Sequence, residues 1–129
     1  MTISRFEDIE AWKRAREVTK KIYALTSIGE FSKDWGLKDQ IRRSSVSIMS
    51  NIAEGFDRGG NREFINFLSI AKGSCGEARS QLYVALDQDF ISEEDFAWTY
   101  KQLDETGRMI GGFMNYLQTS NLKGSKFRR

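Results

Sequence analysis

The sequence predicts an all-α fold, an antiparallel up-down-up-down bundle of four helices. Four segments repeat apolar residues every three or four positions, which is the period of an amphipathic helix. None of the 129 residues is proline, the residue that breaks helix interiors. The intervening segments are only a few residues long, as in bundles whose consecutive helices are antiparallel neighbours. We therefore predict one bundle domain over residues 1–120, followed by a flexible basic C-terminal tail over residues 121–129.

The first helix is predicted to begin at Ser4 and to end between Ser27 and Gly29. Ser4 and Glu7 have the spacing of a capping box, in which two side chains satisfy backbone amides at a helix start. The apolar face of this helix consists of Ile9, Trp12, Ala15, Val18 or Thr19, Ile22, and Leu25 or Thr26.

The second helix is predicted over residues 32–57, with Ser32 as its N-cap. Next comes the clearest turn signal in the chain, the Gly-Gly pair within residues 58–61. The core-facing seam of the second helix consists of Ile41, Ser45, Ile48, Ile52 and Phe56.

The third and fourth helices are predicted over residues 62–88 and 93–119. Asn61 is the expected N-cap of the third helix, and Ser92 that of the fourth. Both helices contain interior glycines, which each cost up to about 1 kcal/mol relative to alanine. We interpret them as points of close backbone approach, within the bundle or between subunits, with a ligand site as the alternative. These glycines are Gly73, Gly76, Gly107, Gly111 and Gly112.

The composition excludes most enzyme templates. The chain has no histidine, the usual near-neutral general base and commonest metal ligand, and Cys75 is its only cysteine. We therefore expect no enzymatic activity, no cofactor and no metal ion. A single cysteine fits a reducing cytoplasm, and the charged N-terminal stretch lacks the apolar centre of a signal peptide. Because no apolar run is long enough to cross a bilayer, we also expect no membrane association.

Charge is distributed unevenly along the chain. Residues 1–62 carry 12 Lys and Arg against 9 Asp and Glu, whereas residues 63–120 carry 4 against 9. Clustered cations of this kind bind phosphates in some proteins, but solvated helix faces with ion pairs one turn apart are an equally good interpretation. The candidate nucleic-acid-binding residues are Arg42, Arg43, Arg58 and Arg62, together with Lys123, Lys126, Arg128 and Arg129 of the tail.

A row of polar side chains follows the edge of the apolar seam in the second helix. The row consists of Gln40, Arg43 or Ser44, Ser47, Asn51 and Glu54, and its successive members are three or four residues apart, which is close enough to hydrogen-bond. We interpret the row as a structural network that joins the second helix to Ser74 of the third; a binding role is the alternative. The predicted network consists of Gln40, Ser47, Asn51, Glu54 and Ser74.

Residues 5–117 resemble the four-helix-bundle family encoded by 23S rRNA intervening sequences, also called the S23 ribosomal protein family. The motifs that carry the resemblance are Gln40-Ile41-Arg42-Arg43, Ser47-x-x-x-Asn51-Ile52-Ala53-Glu54-Gly55, Phe64, Phe67-Leu68 and Ala71-x-Gly73-Ser74. The resemblance implies a bundle that assembles as a ring-shaped homopentamer and a role linked to rRNA or another structured RNA. It supplies no catalytic residues. Where the family often has proline, this chain has Ser32 and Met49, which predicts a smoother second helix.

Two functions are compatible with these features. The first is a non-enzymatic, homo-oligomeric scaffold or accessory protein that associates with rRNA or another structured RNA. The second is a protein-interaction adaptor with no nucleic-acid role, which would use exposed aromatic residues such as Trp12 or Trp98. Salt dependence separates the two, because phosphate contacts weaken steeply with salt.

Overall fold

The computed structural model describes residues 3–119, and within this range every regular element is helical. A short 3-10 helix, Phe6–Asp8, precedes α1, and a second, Glu30–Lys33, separates α1 from α2. The four α-helices are α1 (Glu10–Thr26), α2 (Trp35–Arg58), α3 (Asn61–Asp87) and α4 (Glu93–Thr119). Each packs against its neighbours in sequence, and α1 also packs against α4. The predicted all-α four-helix bundle is confirmed.

The core lies along the common axis of the four helices. All five residues of the predicted α2 seam are buried, and α3 and α4 contribute matching apolar faces that include Leu68, Leu82, Leu103 and Ile110. Burying such side chains contributes roughly 1.5–3 kcal/mol each. The 3.6-residue period was therefore sufficient to locate the core face of α2.

The predicted capping box at Ser4 is wrong. Helix α1 begins at Glu10, after the extended residue Ile9, and no side chain caps it. Ile9 is buried, and Phe6 makes an edge-to-face contact with the Trp12 ring at 5.2 Å. Because these apolar groups are buried, a 3-10 turn followed by a bend is more favourable here than a continuous helix that begins at Ser4.

The predicted N-cap at Ser32 is also wrong. Asp34 caps α2, because its Oδ1 accepts a 3.0 Å hydrogen bond from the amide of Leu37. Ser32 lies in the second 3-10 helix, which buries Phe31 against the ring of Phe90 at 5.3 Å. The start of α2 is set by this tertiary contact rather than by the first cap-like residue in the sequence.

The two remaining N-cap predictions have different outcomes. Gly60 occupies the N-cap position of α3, and Asn61 is the first helical residue; its Nδ2 donates to the carbonyl of Leu117 at 3.2 Å. The prediction for Asn61 is therefore wrong. The prediction for Ser92 is confirmed, because Ser92 Oγ accepts a hydrogen bond from the amide of Asp95 at 3.0 Å.

A close approach occurs at Gly55, which belongs to a family motif but was not among the interior glycines interpreted as packing points. A Cβ on Gly55 would lie 2.6 Å from the Cβ of Phe67 and 3.0 Å from Cδ1 of Phe64. By contrast, a Cβ on Gly73 or Gly112 would meet nothing within 4 Å. Close packing inside the bundle therefore does not account for Gly73 and Gly112, and contact between subunits stays a prediction.

Candidate nucleic-acid interface

Two hydroxyl groups link α2 to α3 at the centre of the predicted polar row. Ser74 Oγ donates to Ser47 Oγ at 3.0 Å, and Asn51 Nδ2 donates to both the carbonyl and the Oγ of Ser47, at 2.8 and 2.9 Å. The structure thus brings three of the five predicted network residues together. Their hydrogen bonds are satisfied within the fold, which favours the structural interpretation of the row.

A second polar link lies on the same interface and joins Ser44, a member of the predicted row, to a residue of α3 that the sequence pattern did not indicate. Ser44 Oγ donates to Oε1 of Gln81 at 3.0 Å. Ser44 precedes Ser47 by one helical turn, and Gln81 follows Ser74 by two turns. In antiparallel helices, a step towards the N-terminus of α2 and a step towards the C-terminus of α3 run in the same direction. The Ser47–Ser74 pair was therefore the signal that pointed to this second link.

The other two predicted network residues lie outside it. Glu54 is exposed and pairs with Arg58 in its own helix at 2.9 Å. Gln40 is exposed, and no hydrogen bond joins its side chain to another residue between 3 and 119. The part of the row that bonds across the interface is therefore shorter than the sequence pattern.

Two of the predicted phosphate-binding arginines are engaged in ion pairs. Arg43 Nε lies 2.8 Å from Oδ2 of Asp39, and Arg58 lies 2.9 Å from Glu54 and 3.4 Å from Glu63. The hydrogen bonds that the two guanidinium groups donate to Asp39 and Glu54 raise the pKa of both arginines. Their charge is partly neutralised locally, although exposed pairs of this kind are weak and exchangeable.

Arg42 has a different environment from its neighbour. Its Nε donates to Oγ1 of Thr26 at 2.8 Å, its Nη2 donates to Oγ of Ser27 at 3.1 Å, and its guanidinium lies 4.3 Å from the centre of the Tyr23 ring. No carboxylate among the described residues pairs with it. The fold thus holds this cation in place across the α1–α2 contact and leaves its charge uncompensated.

Arg16, Lys20 and Tyr23 lie on one stripe of α1, since they are four and three residues apart. Arg16 lies over the Trp12 ring at 5.8 Å, and within residues 3–119 neither Arg16 nor Lys20 has a carboxylate partner. On α2, Lys38 precedes Arg42 by one turn and bonds to the carbonyl of Ser32 rather than to an acid. We call Arg16, Lys20, Tyr23, Lys38 and Arg42 the α1–α2 cationic face.

The cationic face borders an open groove of about 600 Å³. The groove contains one carboxylate, that of Asp39, which pairs with Arg43. It also exposes the Tyr23 ring and one edge of the polar row. Its lining consists of Tyr23, Asp39, Arg42, Arg43, Val46 and Ser47.

The predicted basic residues do not form one cluster. Arg42 and Arg58 are separated by about 24 Å along α2, at 1.5 Å per residue, and Arg62 is exposed in the first turn of α3. Lys123, Lys126, Arg128 and Arg129 lie outside the described residues. Arg42 was among the residues predicted from the sequence to contact phosphate, whereas Arg16 and Lys20 were noted only as part of the basic residues of the first helix; the signal that selects them is two cations one turn apart with aromatic residues on the same stripe.

Over the whole described range the protein is slightly acidic, with 16 Lys and Arg against 18 Asp and Glu between residues 3 and 119. The positive charge of the cationic face is therefore a local property. When a local cationic patch binds a polyanion, counterions condensed on the polyanion are released. The resulting gain in affinity does not require a basic protein overall.

Neither metal nor thiol chemistry finds support in the described region. No group of three or more potential metal-ligating His, Cys, Asp or Glu side chains occurs there. Burial raises the pKa of the Cys75 thiol to about 12, so the thiolate that acts as nucleophile or ligand is disfavoured. None of the helices described here combines the length and apolar character that a bilayer crossing requires.

The four antiparallel helices, the α2–α3 hydroxyl contact and the local cationic face define the class of the protein, a helical bundle with a charged surface groove. The family model for the 23S rRNA-intervening sequence protein matches residues 7–112. The chain belongs to that family, as its motifs indicated.

Among solved structures, the fold is similar to that of a protein with unknown function from the S23 ribosomal protein family of Bacteroides thetaiotaomicron. The two share 22% sequence identity with a TM-score of 0.73, over 81% of this chain and 97% of the other. At this identity the likeness concerns the fold. A comparison with curated proteins gives no match.

Proposed function

We propose that this protein is a non-enzymatic, homo-oligomeric scaffold or accessory protein that binds rRNA or another structured RNA in the cytoplasm. The observation that carries the proposal is the α1–α2 cationic face. Its four cations have no carboxylate partner in the described part of the chain, while many other cations on the bundle are paired.

Unpaired cations suit a polyanion for an energetic reason. A cation already held by a carboxylate must give up that partner before it contacts a phosphate, whereas Arg16, Lys20, Lys38 and Arg42 need not. Arg42 is also positioned by Thr26 and Ser27, which reduces the side-chain entropy lost on binding. Structured RNA is contacted largely through its backbone and shape, so a cationic face of this kind needs no sequence-reading motif.

The family description supports RNA as the class of ligand to test first, since it refers to 23S rRNA intervening sequences. The homo-oligomer, which we propose to be a pentamer, is supported by exposed surface on α3 and α4. Ile70 and Tyr116 are about half exposed, and Gly73 and Gly112 have no neighbour near their missing side chains. Light scattering on the purified protein tests the assembly: a mass near five protomers is expected, and a monomer would contradict it.

The RNA proposal is tested with a charge-removal variant and a matched control. The first variant is Arg16→Gln/Lys20→Gln/Arg42→Gln, and binding to folded rRNA fragments is measured by fluorescence anisotropy over a range of salt concentrations. Loss of three phosphate contacts should reduce the slope of log K against log salt by roughly 2 to 3.

The control removes the same charge away from this face, as Arg5→Gln/Lys101→Gln/Arg108→Gln. Arg5 and Arg108 are in exposed ion pairs and Lys101 is exposed on α4. The control should keep the wild-type slope. Equal losses in both variants would show that binding follows net charge alone and would contradict a role for this face. If the wild-type protein does not bind RNA at low salt, the proposal itself is contradicted.

One observation favours the adaptor as a second candidate function. The Trp98 side chain is 43% exposed on α4, whereas Trp12 is partly buried beside Phe6. A protein partner docked on Trp98 would bind with little dependence on salt. Loss of such binding in Trp98→Ala, with no RNA binding by the wild-type protein, would establish the adaptor instead.

A further inference from the structure

The α2 N-terminus displays an unusually exposed aromatic ring. Trp35, the first residue of α2, is 75% exposed, more than any other large hydrophobic side chain between residues 3 and 119. Tryptophan normally buries most of its large apolar surface. An exposed ring of this size beside uncompensated cations has the composition of a stacking platform for nucleic-acid bases.

Lys38 holds a fixed position beside this ring. Its Nζ lies 4.2 Å from the Trp35 ring centre and donates to the carbonyl of Ser32 at 3.1 Å. One amine thus contacts both the indole and the preceding turn, and this cation–π contact favours the observed orientation of the ring.

A second aromatic–cation pair follows on the same side of α2. Trp35, Lys38 and Arg42 are three and four residues apart and share one helix face. Arg42 lies over the Tyr23 ring, which is 40% exposed and lines the groove. The two pairs are about 10 Å apart along the helix, from the 1.5 Å rise per residue, so one short segment of nucleic acid can reach both.

We propose that this end of the α1–α2 cationic face binds unpaired nucleotides of RNA, with at least one base stacked on Trp35. The inference rests on the proposed RNA-binding function and adds the form of RNA that is recognised. In a duplex the base faces are covered by their neighbours, whereas loops, bulges and single strands expose them to aromatic side chains. Lys38 and Arg42 contact the adjoining phosphates.

Trp98 provides a matched comparison within the same chain. It is exposed and has a lysine nearby, with Lys21 Nζ at 5.9 Å from its ring, but that lysine pairs with Asp95 at 2.9 Å. The Trp98 site therefore has an aromatic ring without an uncompensated cation. It should not support stacking of a negatively charged strand.

The test compares two RNAs of equal length and charge, a hairpin with a large loop and a fully paired duplex, for the wild-type protein, Trp35→Ala, Trp35→Phe and Trp98→Ala. Loss of one stacked base should weaken loop binding by Trp35→Ala about 5- to 150-fold, with less than a twofold change on the duplex. Trp35→Phe retains a ring and should recover most of the affinity. Trp98→Ala should match the wild type on both RNAs.

The outcomes separate the inference from the function on which it rests. If the wild-type protein binds neither RNA at low salt, the proposed function fails. If it binds both and Trp35→Ala changes neither affinity, or both equally, the stacking inference is overturned while RNA binding stands. If Trp35→Ala changes the mass measured by light scattering but not the RNA affinity, Trp35 is a subunit contact and the inference is also overturned.

Discussion

Alanine in place of Gly55 should destabilise the bundle, although alanine is the better helix former. The new Cβ would lie 2.6 Å from the Cβ of Phe67, roughly 0.8 Å inside the 3.4 Å lower limit of ordinary contact. Because the Phe67 Cβ is attached directly to the α3 backbone, no rotamer change relieves the overlap, and α2 and α3 must separate. The new Cβ would also lie 3.0 Å from Cδ1 of Phe64.

The net effect is the difference between two terms. Overpacking of a well-packed core costs about 1–3 kcal/mol, and replacing a helical glycine with alanine returns up to about 1 kcal/mol. Gly55→Ala should therefore lower the free energy of unfolding by up to about 2 kcal/mol. Gly73→Ala is the matched control, because its Cβ meets nothing within 4 Å and it keeps the propensity gain.

Urea and thermal unfolding of both variants, at one protomer concentration, check the expectation. The two variants should differ by about 1–3 kcal/mol, which corresponds to roughly 4 °C in Tm for each kcal/mol in a domain of this size. The reasoning would be refuted if Gly55→Ala were as stable as Gly73→Ala. Light scattering on each variant shows whether a change in assembly contributes.

The remaining predictions concern the hydroxyl contacts and the buried thiol. A double-mutant cycle with Ser47→Ala and Ser74→Ala should give a coupling of about 0.5–1.5 kcal/mol in urea unfolding; purely additive losses would contradict their hydrogen bond. Thr99 is fully buried and its Oγ1 has no partner in the described structure, so Thr99→Val should raise the unfolding free energy by about 1 kcal/mol, and a loss of stability would disprove this. Burial raises the pKa of Cys75 from 9.0 to about 12, so the native thiol should react with a disulfide reagent at pH 8 far more slowly than the urea-unfolded chain, and equal rates would contradict it. The same shift makes stability fall as pH rises between 9 and about 12, because the unfolded chain loses the thiol proton first.

Helix caps show where local sequence was a sufficient guide and where it was not. Ser92 caps α4 as predicted, because the amide that donates the hydrogen bond to it is only three residues away and no competing contact intervenes. Ser4 and Ser32 fail because burial of Ile9 and Phe31 decides where the neighbouring helices begin. A cap contributes about 1 kcal/mol, and a fully buried large apolar side chain contributes more.

The candidate site likewise has one feature that was predictable from the sequence and one that was not. The Ser47–Ser74 contact was predictable, because both hydroxyls lie on faces that antiparallel helices bring together. The difference between Arg42 and Arg43 was not. Adjacent residues on a helix point about 100° apart, so Arg42 meets Thr26 and Tyr23 of α1 while Arg43 meets Asp39 of its own helix.

By itself, the sequence determined the number of helices, the face that each buries and the membership of an rRNA-linked family. These properties follow from the period of apolar residues and from motifs that span many positions, and they do not depend on the position of any one side chain. Only the tertiary structure decided which cations keep an uncompensated charge and which aromatic rings stay exposed. The partner of a charged or aromatic side chain is set by the helix packed beside it, as with Arg42 against α1 and Trp35 beyond the edge of the core.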